Sequence, residues 1–356
     1  MALIRVGHVP NSYNLLHPAD RRRLVSWANE KSSELNTTNP LNSDVLVLSN
    51  AANFGYWLKR AKQPVILDLV DGYLGENPSF LKDVARNIVR SLQGLSSLHW
   101  VTYTRHLRYA CKVSQTVIVA SPEQRELVLK LNTNVHVILD DHSEIDFVVA
   151  SVAQKVSTEP KPVIFWEGFG FTLKHFKFMA PDLDRFLEEF NWGMNLVTVE
   201  EFPRWGGYIG NIQTRDVVKT LFPKSWKSIN IIPWSLDNLA MNACKSSFAI
   251  IPISPLDQFA NLKSENKLLS MWHLRMPTLT SPTPAYKRVL SIAGKPDACV
   301  EQGDWYERLS SLAISLVNRN ESASSGTKYV SAHHTHHQLV KKWDEIISLT
   351  LYETKI

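Results

Sequence analysis

A chain of 356 residues exceeds one ordinary domain, and length alone predicts about two. With 44% hydrophobic and 21% charged residues it has the make-up of a globular chain with apolar material for two cores, which excludes a disordered or fibrous protein. A formal charge of +5 suits phosphorylated ligands or an anionic membrane surface, and it falls far short of the basic density of a nucleic-acid binder.

Cys111, Cys244 and Cys299 are widely separated and form no CxxC pair, so neither a disulfide framework nor a zinc knuckle is expected. The opening MALIRVGHVP has no apolar region after its single arginine, and no run approaches eighteen apolar residues. The expectation is a cytoplasmic protein without a secretory signal or spanning helix, working at the inner face of a membrane.

Short β-rich apolar runs alternate with helical stretches, the grammar of parallel sheets built from βαβ units. In the first half the spacing predicts strands at Leu3–Val6, Asp44–Leu48, Pro64–Leu69, Thr116–Ala120 and Val135–Leu139, with helices at Arg21–Glu34 and Ser79–Leu92 and an amphipathic run on to about Val113. Each strand gives way to polar material, as at Ser49-Asn50, Asp71-Gly72 and Asp140-Asp141-His142, at the carboxyl edge where open α/β sheets bind ligands. Val156–Pro162, with two prolines, reads as a linker. Strands then restart at Val163–Trp166, Leu196–Val199, Ile229–Ile232, Phe248–Pro252 and Thr278–Thr280. A helix over Tyr306–Asn318, a SASSG loop and a last helix from about His334 to Leu351 follow. The domains expected are 1–155, 156–335 and a closing helix at 336–356 that can pack back on the first.

The segment KSENKLLSMWHLRMPTLTSPTPAY, from Lys263 to Tyr286, carries the most chemistry. A helix start is a ready-made anion site, and the lysines Lys263 and Lys267 are unfavourable there unless an anion is present. A solvated helix face is the plainer reading, and Glu265 reads equally as a first-turn residue satisfying the dipole. Ser281, Thr283 and Tyr286 offer hydroxyls to a phosphate or simply cap a loop. Gly168 and Gly170 follow a strand in WEGFGF, where backbone can approach a phosphate or merely turn.

In the first half, Asp71 lies at a strand's carboxyl end, positioned to deprotonate a hydroxyl. His8, Asp140, Asp141 and His142 compete for that role, with turn or N-cap duty as the default for the aspartates. Asp20 reads as an N-cap, and Arg21-Arg22-Arg23 with Trp27 read as a solvated first turn or a lipid-phosphate contact. His333, His334, His336 and His337 lack a carboxylate or cysteine among them, and Asp182-Leu183-Asp184 follows Ala180-Pro181 as a helix start would, so no metal is expected.

From Trp234 to Tyr286, WSLDNLAMNACKSSFAIIPIS followed by KSENKLLSMWHLRMPTLTSPTPAY resembles the C-terminal domain of GT-B glycosyltransferases. The likeness is nearest to bacterial polysaccharide enzymes, xanthan-type glucuronosyltransferases included. It implies an α/β fold of two Rossmann-like domains facing across a central cleft, acceptor in the first and nucleotide sugar in the second. Asn266-Lys267 would be the pair at the helix start, with Lys267, ten residues before Pro277, on the donor pyrophosphate. Ser270 would approach the ribose, and the Gly168 loop would face the donor. The large retaining branch has two glutamates separated by seven residues; the second falls on Ser270, so that chemistry does not carry over. The resemblance implies a hexosyltransferase in polysaccharide or cell-surface glycan assembly. Its partners would be a nucleotide sugar, a glycan or lipid-linked acceptor and, peripherally, a membrane; it would need no cofactor or metal. A non-catalytic nucleotide-sugar-binding or partner subunit and a sugar-nucleotide epimerase are the alternatives.

Overall fold

Runs such as VLVLS and VILDL carry apolar residues at nearly every position, the pattern of a parallel strand covered on both faces. Both are buried throughout in the computed structural model, which describes residues 4–75, 78–95, 102–153, 161–204 and 210–353. The chain divides into two units, one of Met1–Asp141, Gln258–Ser264 and His334–Ile356, the other of His142–Asp257 and Glu265–His333.

The first unit holds the strands β1 (Val6–Val9), β2 (Leu35–Asn36), β3 (Val45–Ser49), β4 (Val65–Leu69), β5 (Thr116–Val119) and β6 (Val135–Val137). They form one parallel sheet in the order β2-β1-β3-β4-β5-β6. The two-residue period of a strand divides its core. Leu46, Leu48, Leu67 and Val117 pack with Phe54, Leu107 and Cys111 on one face. Val45, Val47, Ile66 and Ile118 pack on the other, with Leu24, Trp27, Leu339 and Trp343. The closing helix, His336–Glu353, therefore supplies part of this unit's core.

Asp68 shares the face of Ile66, and its carboxylate accepts from the wholly buried Arg23 at 2.9 Å. Arg23 also donates to the Ile138 carbonyl at 2.6 Å and to Asp140 at 3.3 Å. This network breaks the helix expected over Arg21–Glu34 into Pro18–Arg21 and Leu24–Glu30. Arg23 lies between them with φ −131° and ψ −110°, outside the helical region, so that its guanidinium reaches the sheet. With Arg23 and Trp27 buried, the lipid-contact reading of that helix is overturned. Asp20 is no N-cap either: His17 caps through Nδ1, which accepts from the Ala19 amide.

The second unit holds β7 (Lys161–Glu167), β8 (Gly193–Thr198), β9 (Glu201–Pro203), β10 (Asn211–Gln213), β11 (Ile229–Pro233), β12 (Ser246–Ile251) and β13 (Thr278–Thr280). Its main sheet is parallel in the order β11-β8-β7-β12-β13, and β9 and β10 form a separate antiparallel pair. Counted from β7 the order is third-second-first-fourth-fifth, the Rossmann arrangement, whose ligand crevice opens beyond the first and fourth strands.

The sequence-based strands recur with shifted ends. The first begins at Val6, not Leu3, which lies outside the described residues with most of the 156–162 linker; Pro162 belongs to β7. The expected SASSG loop is instead inside the helix Leu316–His333. A Cβ on Gly326 would stand 2.4 Å from the Trp272 ring, so the glycine serves close helix packing. The helix Ser143–Ala153 groups with the second unit, beside Leu236–Cys244.

Two outcomes follow for the first unit. Removing one partner of a buried ion network strands the other charge, so Asp68→Ala is expected to lower stability by on the order of 3 kcal/mol in urea unfolding; an unchanged midpoint would refute the role given to the pair. His336 donates to Asp141 at 2.6 Å and approaches Glu30 at 3.3 Å. Burial alone would lower its pKa, but the hydrogen bond and charge of Asp141, then Glu30, raise it above the usual histidine value. The contribution is therefore complete below about pH 6.5 and is lost as pH rises through the raised value. Hydrogen exchange of the closing helix should quicken over that rise, and His336→Gln should flatten the dependence.

Candidate functional site

The Rossmann crevice of the second unit opens where β7 and β12 end. β7 closes on Trp166-Glu167 and turns through Gly168-Phe169-Gly170, with the Gly168 amide donating to the Val197 carbonyl at 3.2 Å. β12 runs out into Pro252-Ile253-Ser254, where the Ile253 amide donates to Ser281 Oγ at 2.8 Å and the Ser254 amide to His175 Nδ1 at 3.3 Å. These bonds fix the second rim.

The helix Asn266–His273 begins with no acidic residue in its first turn. Glu265 stands at its N-cap but makes no side-chain capping bond; its buried carboxylate accepts from Arg288 at 3.0 Å. The carbonyl of Asn266 is held at 2.8 Å by His142 Nε2, whose ring lies 5.4 Å from that of His273, itself bonded to Asp146 at 2.9 Å.

Lys267 projects from this first turn to the Gly168 turn, ninety-nine residues away in sequence. Its ammonium lies 4.0 Å from a Glu167 carboxylate oxygen and 4.9 Å from the Trp166 ring centroid. A Cβ on Gly168 would stand 2.8 Å from both Nζ and the Trp166 ring, so a side chain there would push the ammonium from this position. The lysine and Glu167 are each about a quarter exposed. A pair so open to water contributes about 0–1 kcal/mol, weak enough for a stronger anion to displace. The site is a cation seated over a glycine turn, at the start of a helix whose dipole also favours negative charge.

The other sequence candidates sort by geometry. Lys267, Gly168 and Asn266 come together here. Gly170 belongs to the same turn, where a Cβ would meet Phe202 at 2.3 Å. Ser270 lies one turn further along the helix and donates its hydroxyl to the Asn266 carbonyl at 3.0 Å. Ser281 holds the β12 rim, Thr283 caps the helix Pro284–Ile292, and Tyr286 is buried, its phenol pKa pushed upward by that burial. Glu265 is engaged by Arg288.

Lys263 belongs to the first unit, where its ammonium lies 3.6 Å from Asp71 and 5.0 Å from the centre of the Phe259 ring. Asp71 is about a third exposed. His8 is buried, its Nε2 3.5 Å from the Asp20 carboxylate, which also accepts the amides of Asn11 at 2.8 Å and Ser12 at 2.9 Å. Burial would raise the Asp20 pKa, but His8 and these amides outweigh it and hold the group below the usual range. Asp140 is pushed up by burial against the pull of Arg23 and Arg22. Among the described residues no group of three or more His, Cys, Asp or Glu side chains is placed to hold a metal ion. Asp184 instead accepts from the hydroxyl of Ser225 at 2.6 Å.

Sequence reasoning missed the partners that seat Lys267. Glu167 and Trp166 were visible beside Gly168 in WEGFGF, but nothing local ties them to a lysine so distant. His142, weighed as a base, instead braces the Asn266 turn.

No family model matches the chain, and no curated protein matches it by sequence. Solved structures do. A glycosyltransferase from Rickettsia africae superposes with a TM-score of 0.58 at 11% identity, over 96% of this chain and 84% of that one. WaaG, a glycosyltransferase involved in lipopolysaccharide biosynthesis, gives 0.55 at 12% identity, over 96% and 98%. S. aureus TarM, in complex with UDP, fondaparinux and alpha-GlcNAc-glycerol, gives 0.56 at 8% identity over 85% of this chain, which spans about half (55%) of TarM's length. At such identities the likeness shows the fold: two Rossmann-like α/β domains of GT-B type. It does not distinguish the xanthan-like branch.

Hydrogen bonds to charged groups contribute about 1.5–3 kcal/mol, so Lys267→Ala should weaken binding of UDP or pyrophosphate roughly 10- to 100-fold in titration calorimetry. Gly168→Val, which fills the space of the ammonium, should weaken it comparably without touching the charge. Unchanged affinity in both variants would remove the anion site.

Proposed function

We propose that this protein is a glycosyltransferase that moves a sugar from a nucleotide-diphosphate sugar to a hydroxyl acceptor on a glycan or lipid-linked saccharide, in polysaccharide or cell-surface glycan assembly. The observation that carries the reading is Lys267 seated over the Gly168 turn at the Rossmann switch point. UDP in the TarM structure and the lipopolysaccharide role of WaaG support the choice of substrate class.

In this reading the donor's diphosphate replaces Glu167 as the partner of Lys267 and takes the amides of the Asn266 turn, lying against the Gly168–Gly170 loop. Breaking the bond between the anomeric carbon and the phosphate oxygen leaves negative charge on the diphosphate. A fixed cation and oriented amides stabilise that charge on either stereochemical route. Ser281 and Tyr286 support the rim and the following helix, Glu265 anchors the turn through Arg288, and Ser270 takes the ribose-facing place that the family resemblance gives it. The acceptor falls to the first unit, with Asp71, more open than His8, as the group to receive its proton. The reading invokes no metal or other cofactor, and transfer is of the hexosyl type.

One observation favours a second reading. Ser270 stands where a ribose-binding glutamate is expected and gives its hydroxyl to its own helix. A nucleotide-sugar-binding subunit without transfer, or an epimerase, is compatible with that arrangement. A panel of UDP-, GDP- and dTDP-sugars separates the three. Nucleotide release that rises with an added acceptor supports transfer, and Lys267→Ala should cut it about 100-fold or more. Binding without release points to the subunit, release-free interconversion of sugars to the epimerase, and absence of binding sinks the donor site altogether.

A further inference from the structure

A 3₁₀ helix has three residues per turn, so every third side chain falls on one edge. Gly170–Phe178 is such a helix, and it follows directly on the Gly168 turn. Gly170, Leu173 and Phe176 are buried along one edge. That leaves Phe171, Lys174 and Lys177 aligned on another, all exposed and about 6 Å apart. Phe171 stacks on Phe169, with ring centroids 5.6 Å apart and planes 7° from parallel. Phe169 and Phe171 are 61% and 57% exposed. Burying apolar rings is favourable, so a parallel pair left open marks a surface made to receive a flat apolar face.

At its other end the exposed edge reaches a cavity of about 610 Å³, within the ~300–1,000 Å³ of small-ligand pockets. Lys177 lines it with Ala180, Pro181 and Arg185 of the helix Ala180–Glu189, and with Leu221 and Lys224. The carboxylate in this lining, Asp184, is buried and accepts the amide and hydroxyl of Ser225 at 3.0 and 2.6 Å. The charge that the cavity shows to solvent is therefore positive. Arg185 is held over the Tyr306 ring, 3.5 Å from its centroid. Lys177 pairs with no carboxylate among the described residues. Lys174 meets Asp257 at 2.6 Å and Lys224 meets Glu188 at 2.7 Å, surface contacts that water screens and another anion can exchange.

A sugar ring offers an apolar C–H face to a phenyl ring and, where it is acidic, a carboxylate or phosphate to a lysine. Phe171 to Lys177 spans two turns, about 12 Å, and the cavity lies beyond, so one ring cannot reach both ends. A nucleic acid would call for a denser basic surface than a formal charge of +5 provides. We propose that this edge of the second unit binds an acidic glycan chain. Its sugar faces stack on the Phe169–Phe171 pair, and its anionic groups meet Lys174, Lys177, Arg185 and Lys224. The inference deepens the proposed function by naming the glycan as acidic, and it rests on that reading only for the sugar transfer itself.

Calorimetry of the full chain without nucleotide tests it, with a galacturonate hexamer as the acidic probe and maltohexaose as the uncharged one. The galacturonate hexamer should bind at least ~10-fold more tightly than maltohexaose, and added salt should erode the difference. Lys177→Gln with Arg185→Gln, and separately Phe169→Ser with Phe171→Ser, should each lose about 10-fold in affinity for the acidic probe with an unchanged melting temperature. Equal binding of the two hexamers, or undiminished binding by both double variants, overturns the proposal. So does polyphosphate that binds as tightly as the galacturonate hexamer and is indifferent to the phenylalanine pair, which would reduce the edge to a patch of charge. Pyrophosphate affinity, read on the same samples, reports the donor site separately, so the two readings fail apart.

Discussion

A lysine ammonium that is only a quarter exposed needs compensation nearby, and Lys267 obtains it from one turn of chain. Glu167 offers charge, Trp166 a π-face, and Gly168 an absence of side chain that admits both. The rest of the second unit serves this meeting. Its strand order places the crevice beyond the carboxyl ends of the paired strands β7 and β12, the Ser281 hydroxyl fixes the opposite rim, and His142 and Arg288 hold the first turn from which the lysine springs. The carboxylate's hold on the ammonium is weak for the same reason the site is accessible: water reaches both partners and screens them.

The first unit is organised by a different constraint. A buried guanidinium must be surrounded by acceptors, and Arg23 gathers a carboxylate from the strand at Asp68 and a carbonyl and a second carboxylate from the segment Ile138–Asp140. The same unit places Asp83, Arg86 and Arg90 on the inner side of a surface helix, and so turns that helix's apolar residues outward. Polar groups here fix orientation at the level of whole elements. An apolar interior alone would have accepted the helix the other way round.

Much of this could be read from the residues in order. Parallel strands are apolar on both faces, so Val45–Ser49 and Ser246–Ile251 stand out as runs, while Lys267 is marked only through the family resemblance, by its offset from Pro277. What could not be read depends on contacts between distant segments. Lys263 and Lys267 are four residues apart yet belong to different units, because the segment Gln258–Ser264 returns to the first. Gly326, in a stretch that looks like a loop, is helical because Trp272 presses against it. The split at Arg23 answers to Asp68, forty-five residues on. Hydrophobic period reports that Phe80–Leu92 is two-sided, but which side faces in is decided by Thr104 and Tyr103.

The closing helix has a consequence for how the chain is made. Leu339, Trp343 and Ile347 complete a core whose other members, from Val6 to Ile138, leave the ribosome some two hundred residues earlier. During synthesis the sheet of the first unit must wait with one face covered only in part, by Leu24 and Trp27, while the strands of the second unit have emerged by Thr280. Domains ordinarily fold in the order they emerge. Here the first to appear is the last to be finished, its core lacking Leu339, Trp343 and Ile347 until the closing helix is made.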